Sequence, residues 1–212
     1  MKLYSSPGAC SLVAHIALEE AGADYAAERI VLADGDHRRP EFLAVNPHAR
    51  VPALAVDGRF ITENVAILNY IADLFGKDGS VPRGVALETA RCNELLGWFA
   101  SSVHIGFAGI WRAERFTADE AAWPAIQQGG RDAVELYFAE IDDLSGDGWI
   151  AGDRFTAADA YVAVFLRWGR RIGLDIARYP NMCALVARAT GRPAVARVIE
   201  REGLPLEEFA PA

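Results

Sequence analysis

Residues 51–75 read VPALAVDGRFITENVAILNYIADLF, and this stretch shows how the first part of the chain folds. Two short apolar runs flank Asp57-Gly58, a pair of residues that tolerates the positive φ of a tight turn, so the pattern predicts a β-hairpin. Apolar residues then recur at helical spacing from Glu63 to Phe75, with an acidic residue in the first turn. The stretch therefore predicts a hairpin followed at once by a helix.

The residues before this stretch alternate short strands with helices. Residues 1–4 and 25–32 have the composition of strands, and residues 10–21 have the apolar spacing of a helix. A short helix is predicted at residues 41–44, shortly before a proline that stops it. Together with the hairpin and its helix, these elements give the order β-α-β-α-β-β-α of a small α/β unit.

The composition changes after residue 76. Residues 76–84 are rich in Gly, Asp, Ser and Pro, which is typical of a linker. No further strands are predicted beyond it, and the helical patterns cover residues 86–115, 117 or 119 to 144, 156–172, 179–190 and 193–202. We therefore predict an α/β domain over residues 1–76, a linker over 77–85 and an all-helical domain over 86–212.

The overall composition excludes several classes of protein. Hydrophobic residues make up 52% and charged residues 24% of the 212 residues, the balance of a globular protein. A formal charge of −8 and the lack of a long basic run argue against a nucleic-acid partner. The chain has no apolar run of about 18 residues and does not begin like a signal peptide, so we expect a cytoplasmic protein that does not enter a membrane.

The three cysteines differ in their settings. Cys10, Cys92 and Cys183 are too few and too widely spaced for a disulfide framework or a four-ligand zinc site, so no metal is expected. Cys92 and Cys183 lie in apolar helical patterns and are predicted to be buried and inert. Cys10 falls at the start of the first helix, where free backbone N–H groups stabilise an anion by roughly 0.3–1 kcal/mol. This position predicts a lowered thiol pKa or a bound thiolate.

Two further features fit a peptide-like ligand. A cis bond before Pro52 would leave the backbone of Val51 free to pair with an extended ligand, although a trans proline is commoner on spacing alone. Thr62-Glu63-Asn64 offers an acidic group, an amide and free N–H groups at a helix start, which suit the ammonium and carboxylate of an amino acid. Taken alone, the same residues fit an ordinary helix cap better, with Thr62 as the capping residue.

These motifs together resemble those of bacterial glutathione S-transferases, the beta class in particular. The matching segments include PGACSL at residues 7–12, VNP at 45–47, VPAL at 51–54 and TENVAIL at 62–68, followed by HIGF at 104–107 and RFTAADAY at 154–161. The resemblance covers nearly the whole chain. It implies a thioredoxin-like N-terminal domain followed by a helical C-terminal domain. It also implies an enzyme of detoxification that uses glutathione as co-substrate and usually forms a homodimer.

The resemblance also assigns the glutathione contacts. The Val51 backbone, before a cis Pro52, pairs with the cysteinyl part, while Glu63 and Asn64 hold the γ-glutamyl end. Many members have Ser at the position of Asn64, and Asn is longer. The class often has a Lys for the glycine carboxylate, whereas the corresponding loop here reads ADGDHRR at residues 33–39. The candidates to replace that Lys are His37, Arg38, His48 and Arg50.

The same resemblance places catalytic groups near the glutathione sulfur. Cys10 lies beside that sulfur, with Ser11 as a hydroxyl donor, and His104 faces it from the helical domain. Ser101 and Ser102 belong to the helix segment that lines glutathione. Because an ordinary imidazole titrates near pH 6.5, we expect His104 to polarise a thiol at neutral pH.

Three functions follow as alternatives. In the first, the glutathione thiolate attacks a small hydrophobic electrophile, with Phe107, Trp111 and Trp168 as candidate pocket residues. In the second, Cys10 is itself the nucleophile of a monothiol disulfide reduction, and in the third the fold only binds its ligand. The pattern of Thr156 and Asp159 is separate from all three, since it predicts a structural capping box.

Overall fold

The structure is a computed structural model of the chain, and it describes residues 1–76 and 80–210. The first unit contains a four-stranded sheet made of β1 (Lys2–Ser5), β2 (Ala26–Arg29), β3 (Ala53–Val56) and β4 (Arg59–Thr62). The strand order is β2-β1-β3-β4. β1 is parallel to β2 and antiparallel to β3, which pairs with β4 in the predicted hairpin. Leu3 of β1 lies between Ala27 and Leu54.

Three helices accompany the sheet, namely α1 (Ser11–Glu20), α2 (Pro40–Leu43) and α3 (Asn64–Phe75). Their order along the chain confirms the predicted thioredoxin-like unit. The predicted strand over 25–32 is too long, because the chain leaves the sheet after Arg29. The Val31 N–H donates to the Asp36 carboxylate at 2.8 Å, which folds the following residues into a turn.

The second unit is helical throughout its described length. Its helices are α4 (Ala86–Trp98), α5 (His104–Trp111), α6 (Trp123–Ser145), α7 (Ala157–Arg171), α8 (Pro180–Thr190) and α9 (Pro193–Glu202). A π-helical stretch, Phe99–Val103, joins α4 to α5. The helix predicted over 86–115 ends early, because Arg112 has the non-helical angles φ −142° and ψ 46°, and Ala113–Arg115 form a separate 3-10 turn.

Helix α7 forms the centre of the helical unit and is buried from Ala157 to Gly169. It begins with the predicted capping box, which the structure confirms. The Thr156 N–H donates to Asp159 Oδ2 at 2.7 Å, and the Ile150 N–H donates to Asp159 Oδ1 at 2.9 Å. The carboxylate therefore ties the preceding loop to the helix start.

The two units share one apolar interior. Helix α1 packs against α3 on one side and against α7 and α9 on the other. In the predicted linker, Ser80 and Val81 are buried, and the Ser80 carbonyl accepts the Ala157 N–H at 2.7 Å. Residues 77–79 of the linker and residues 211–212 lie outside the described residues, and the domain limits stay a prediction. No helix of the described chain has the length and apolar character needed to cross a membrane.

Candidate active site

The Cys10 thiol points to the loop that precedes β3. Its Sγ lies 3.5 Å from the carbonyl oxygen of Val51, to which the thiol donates. The Val51–Pro52 peptide bond is cis, as the resemblance implies. The structure thus brings together the start of α1 and the backbone that is predicted to pair with a ligand.

The thiol of Cys10 is held in its protonated form. Burial raises its pKa to about 12, and Glu63 also raises it, while the N–H groups of Cys10 and Ser11 and the charge of Arg50 oppose the rise. The predicted lowering of this pKa is therefore wrong, because the loss of solvation outweighs the donors at the helix start. At neutral pH Cys10 is a hydrogen-bond donor rather than a thiolate.

Glu63 precedes α3 in an unusual backbone conformation. Its φ of 67° is one that residues other than glycine seldom adopt, and such positions cluster at ligand sites. The side chain is exposed and does not cap the helix. Among the described residues, no hydrogen bond or ion pair engages this carboxylate, so it stays available to a cation.

Asn64 links three helices through its side-chain amide. Its Nδ2 donates to the Cys10 carbonyl at 2.7 Å and to the Tyr161 hydroxyl at 2.8 Å. The side chain is buried, and Oδ1 has no hydrogen-bond partner within the described chain. Asn64 therefore fixes the backbone of Cys10, and its Oδ1 remains free for a donor.

His104 begins α5, directly after the π-helical stretch, and packs against the Trp168 ring with centroids 5.2 Å apart. Burial lowers its pKa to about 4, and the charges of Arg115 and Arg50 lower it further. The expectation of an ordinary imidazole near pH 6.5 is wrong. His104 is neutral at physiological pH and acts as a hydrogen-bonding group.

The three predicted serines do not direct their hydroxyls to the Cys10 sulfur. Ser11 is fully buried, and its hydroxyl accepts the Ser6 N–H at 3.0 Å and donates to the Ser6 carbonyl at 3.2 Å. This hydroxyl closes the turn before α1 and is not directed to the Cys10 sulfur. Ser101 and Ser102 lie in the π-helical stretch and line a cleft of about 290 Å³ between α5 and α6, whose lining does not include Cys10.

Two of the basic candidates, His48 and Arg50, lie in the loop before Val51, and the other two, His37 and Arg38, lie in the 3-10 turn after β2. Arg38, His48 and Arg50 are exposed, whereas His37 is buried, and its Nδ1 has no partner in the part of the chain that the structure describes. Burial lowers the pKa of His37, and the charges of Arg38 and Arg112 act in the same direction. Asn46 shapes this loop, since its Nδ2 donates to the Arg50 carbonyl at 2.7 Å.

The predicted aromatic residues pack on one another beside His104. The Trp168 ring lies 5.2 Å from Phe107 and 5.3 Å from Trp111, measured between centroids. Phe107 is fully buried and belongs to the core, whereas 42% of Trp111 is exposed. Trp111 is therefore the member of this group with most surface to offer a ligand.

Gly8 is held on both sides by a set of contacts that the sequence patterns do not predict. The Gly8 N–H donates to Glu202 Oε2 at 2.8 Å, and the Gly8 carbonyl accepts from Trp168 Nε1 at 2.8 Å and Arg167 Nη1 at 3.1 Å. Glu202 also contacts His15 Nδ1 at 2.8 Å. The available signal was a charged residue, such as Arg167, inside an apolar helical run.

The contacts of Gly8 leave no room for a side chain. Its φ is +67°, and a Cβ would lie 2.6 Å from Arg167 Cζ. Helices α7 and α9 thus position the loop that carries Cys10, and they do so from the other unit of the chain.

Comparison with known proteins agrees with this architecture. The model of the glutathione S-transferase N-terminal domain matches residues 1–73, and that of the C-terminal domain matches residues 116–193. Glutathione S-transferase GST-4.5 of Xanthomonas campestris pv. campestris is 33% identical over 205 residues, covering 96% of this chain and 100% of the relative.

Solved structures give the same result. A sphingomonad glutathione S-transferase complexed with glutathione is 38% identical, with a TM-score of 0.83, and the match covers 97% of this chain and 100% of that one. The bacterial beta class enzyme of Sphingomonas chungbukensis is 37% identical, with a TM-score of 0.84 and the same coverage. The chain thus belongs to the glutathione S-transferase family and is similar to its bacterial beta class.

Proposed function

We propose that this protein binds glutathione across the starts of α1 and α3 and conjugates it, through its sulfur, to a small hydrophobic electrophile. The observation that carries the proposal is the Cys10 thiol resting on the Val51 carbonyl beside a cis proline. That carbonyl and the N–H of the same residue are the groups to which an extended ligand adds as a strand. The names of the relatives support the same activity.

Charged and polar groups of the protein complement the charges at the γ-glutamyl end and at the glycine end of glutathione. The free carboxylate of Glu63 suits the ammonium of the γ-glutamyl residue, and the N–H groups that open α3 suit its carboxylate. Asn64 contributes its backbone and the unpaired Oδ1. Arg50, adjacent to Val51, is the best placed cation for the glycine carboxylate, with His37 as the other candidate.

Binding rearranges one hydrogen bond at the reacting sulfur. The cysteinyl N–H of the ligand takes over the Val51 carbonyl, which frees the Cys10 S–H to donate to the glutathione sulfur. A donor at this position stabilises the thiolate and so raises its fraction at neutral pH. The glutathione thiol gives its proton to solvent, and the thiolate then bonds to the electrophilic carbon while the leaving group departs with its electron pair.

Disulfide reduction by Cys10 is the second candidate. It draws on the same position, because Cys10 lies where a mixed disulfide with the cysteinyl sulfur is within reach. The high pKa of Cys10 disfavours it as the attacking thiolate. Conjugation is therefore the better supported activity, and simple binding without turnover is the third outcome.

Replacement of Cys10 by Ala, with Cys92→Ala as the control, separates these functions. The assays are retention on immobilised glutathione, conjugation of a generic aryl halide and reduction of a glutathione mixed disulfide. We expect Cys10→Ala to keep glutathione binding and to lose conjugation by roughly tenfold, the size of one lost charge-assisted hydrogen bond. Loss of disulfide reduction alone would support the redox function, and failure of the wild type to bind glutathione would exclude both enzymatic functions.

We also propose that the protein works as a cytoplasmic homodimer in the detoxification of electrophiles. The resemblance implies this assembly, and exposed apolar side chains such as Phe60 and Leu136 leave surface for a partner. Light scattering coupled to size-exclusion chromatography tests the assembly, and a mass near 23 kDa per particle would contradict it.

A further inference from the structure

Three arginines near the candidate active site outnumber the two acidic side chains beside them, Glu63 and Glu114. Arg50 precedes Val51, and Arg112 and Arg115 follow α5. Over the described residues, Arg50 and Arg115 make no side-chain hydrogen bond or ion pair, and Arg112 reaches only Glu114, at 4.0 Å. In a chain with a formal charge of −8, this local excess of positive charge indicates a site for an anion.

The arginines after α5 arise from one short turn. The Arg115 N–H donates to the Arg112 carbonyl at 2.9 Å, which closes the turn and brings both side chains to the same end of the helix. Burial lowers the pKa of Arg115, and the charges of Arg50 and Arg112 lower it further, while Glu114 opposes the change. The charges of Arg115 and Arg50 also lower the pKa of His104. Arg50 and Arg115 therefore lie within electrostatic range of His104, and Arg112 lies on the same turn as Arg115.

An exposed aromatic surface adjoins these charges. Trp111 directly precedes Arg112, and 42% of its surface is exposed. Its ring packs against Trp168, which in turn packs against His104. A flat ring placed on Trp111 would thus extend between the arginine pair and the imidazole, and aromatic rings favour such stacked or edge contacts.

Glutathione alone does not account for all three cations. Its γ-glutamyl carboxylate pairs with the N–H groups at the start of α3, which leaves the glycine carboxylate as its remaining anion. Arg50, next to the Val51 backbone, is sufficient for that group. Arg112 and Arg115 are then left for another molecule.

We propose that Arg112 and Arg115 bind the carboxylate of a flat, unsaturated second substrate whose ring lies on Trp111. The electrophilic carbon then faces the sulfur beside Cys10. With an aryl halide, the carbon–sulfur bond forms as the halide leaves with its electron pair. With an activated double bond, solvent supplies the proton to the neighbouring carbon. The identity of the nucleophile rests on the proposed function, whereas the anion site does not.

The test compares two isosteric ligands, 4-nitrobenzoate and uncharged 4-nitrobenzamide, by calorimetric titration in the presence of S-methylglutathione. We expect the wild type to bind the carboxylate at least tenfold more tightly at low salt, and the Arg112→Gln/Arg115→Gln double variant to lose that preference. Arg59→Gln is the control, and we expect it to keep the preference. Arg59 begins β4 at the hairpin turn, at the other end of that strand from Glu63. Equal thermal midpoints of the variants show that both fold.

Equal affinity of the wild type for the two ligands, or a preference that survives in the double variant, would overturn the inference. A parallel titration compares glutathione with γ-glutamylcysteine, which lacks the glycine. It shows whether the arginine pair binds the glycine carboxylate of glutathione or the carboxylate of the second substrate. If the double variant binds glutathione more weakly but binds nitrobenzoate as the wild type does, the arginines bind glutathione and the inference is wrong. If the wild type conjugates no electrophile but its nitrobenzoate preference depends on the arginine pair, the inference stands and the proposed function fails.

Discussion

The Cys10 thiol donates to the Val51 carbonyl oxygen at 3.5 Å, so the sulfur of the protein occupies the backbone group that we propose for the cysteinyl part of glutathione. The thiol is protonated, because burial raises its pKa to about 12. The cysteine at the helix start is therefore a hydrogen-bond donor, and under the proposed function it donates to the glutathione sulfur once the ligand binds. It differs in this respect from the exposed thiolates of redox enzymes at similar positions.

Alkylation of Cys10 measures this protonation directly. With a pKa of about 12, only about one thiol in 10⁵ is ionised at pH 7, so we expect iodoacetamide to modify Cys10 at least roughly a hundredfold more slowly than free cysteine. Mass spectrometry of the peptide that contains Cys10 gives the rate, and the chain unfolded in urea provides the reference. A rate equal to that of free cysteine in the folded protein would contradict the raised pKa.

Asn64 is predicted to contribute to stability as well as to binding. Asn64→Ala removes the donors to the Cys10 carbonyl, a part-buried contact, and to the Tyr161 hydroxyl, a buried one. We expect the free energy of unfolding to fall by roughly 2–3 kcal/mol and the KM for glutathione to rise. Urea unfolding and steady-state kinetics measure the two effects. Asn69→Ala, whose amide lies in a part-buried contact with Asn93, is the comparison on the same helix.

Gly8 and Gly22 form a matched pair for testing the loop before α1. Both have positive φ, of 67° and 63°, but a Cβ at Gly8 collides with Arg167 while one at Gly22 meets nothing within 4 Å. We expect Gly22→Ala to cost roughly 1 kcal/mol of stability and Gly8→Ala clearly more, with loss of activity. Similar unfolding curves for the two variants would show that Gly8 is not confined by α7.

His104 predicts a dependence of stability on pH. Its pKa is about 4 in the folded protein and about 6.5 when unfolded, so between these values the unfolded chain binds more protons. The contribution of the neutral imidazole is complete above pH 6.5 and is lost as the pH falls toward 4. We expect His104→Asn to reduce the loss of unfolding free energy between pH 7 and pH 4.5 by about 1–3 kcal/mol.

Urea unfolding at the two pH values checks this expectation. His48→Asn, at an exposed position of the loop before β3, is the control and should retain the wild-type difference. An identical pH profile for His104→Asn and the wild type would mean that the imidazole titrates normally in the fold.

Local patterns predicted the elements that depend on neighbours in the sequence. The hairpin around Asp57-Gly58, the helix after it and the capping box of Thr156 and Asp159 are each specified within a few residues, and the structure has all three. The ends of elements were less well predicted. β2 stops at Arg29 because Asp36 captures the Val31 N–H, a contact that strand composition does not reveal.

The parts of the site that were missed depend on residues far apart in the sequence. Gly8 and Glu202 are 194 residues apart, and no local pattern indicates that they form a hydrogen bond. The pKa values of Cys10 and His104 were expected in the wrong range for a related reason. Their shifts are dominated by burial, which depends on how the two units pack and cannot be taken from the helix start alone.

The contacts around Gly8 also concern how such chains diverge. A single residue, Gly8, two positions before Cys10, has its N–H held by α9 and its carbonyl held by α7. A recombinant that keeps residues 1–76 and takes its helical half from a relative would inherit every predicted glutathione contact of the first unit, yet its sulfur would move with the new helices. The position of this thiol is therefore a joint property of both halves, and substitutions in α7 and α9 are expected to move it without changing any residue of the predicted glutathione site.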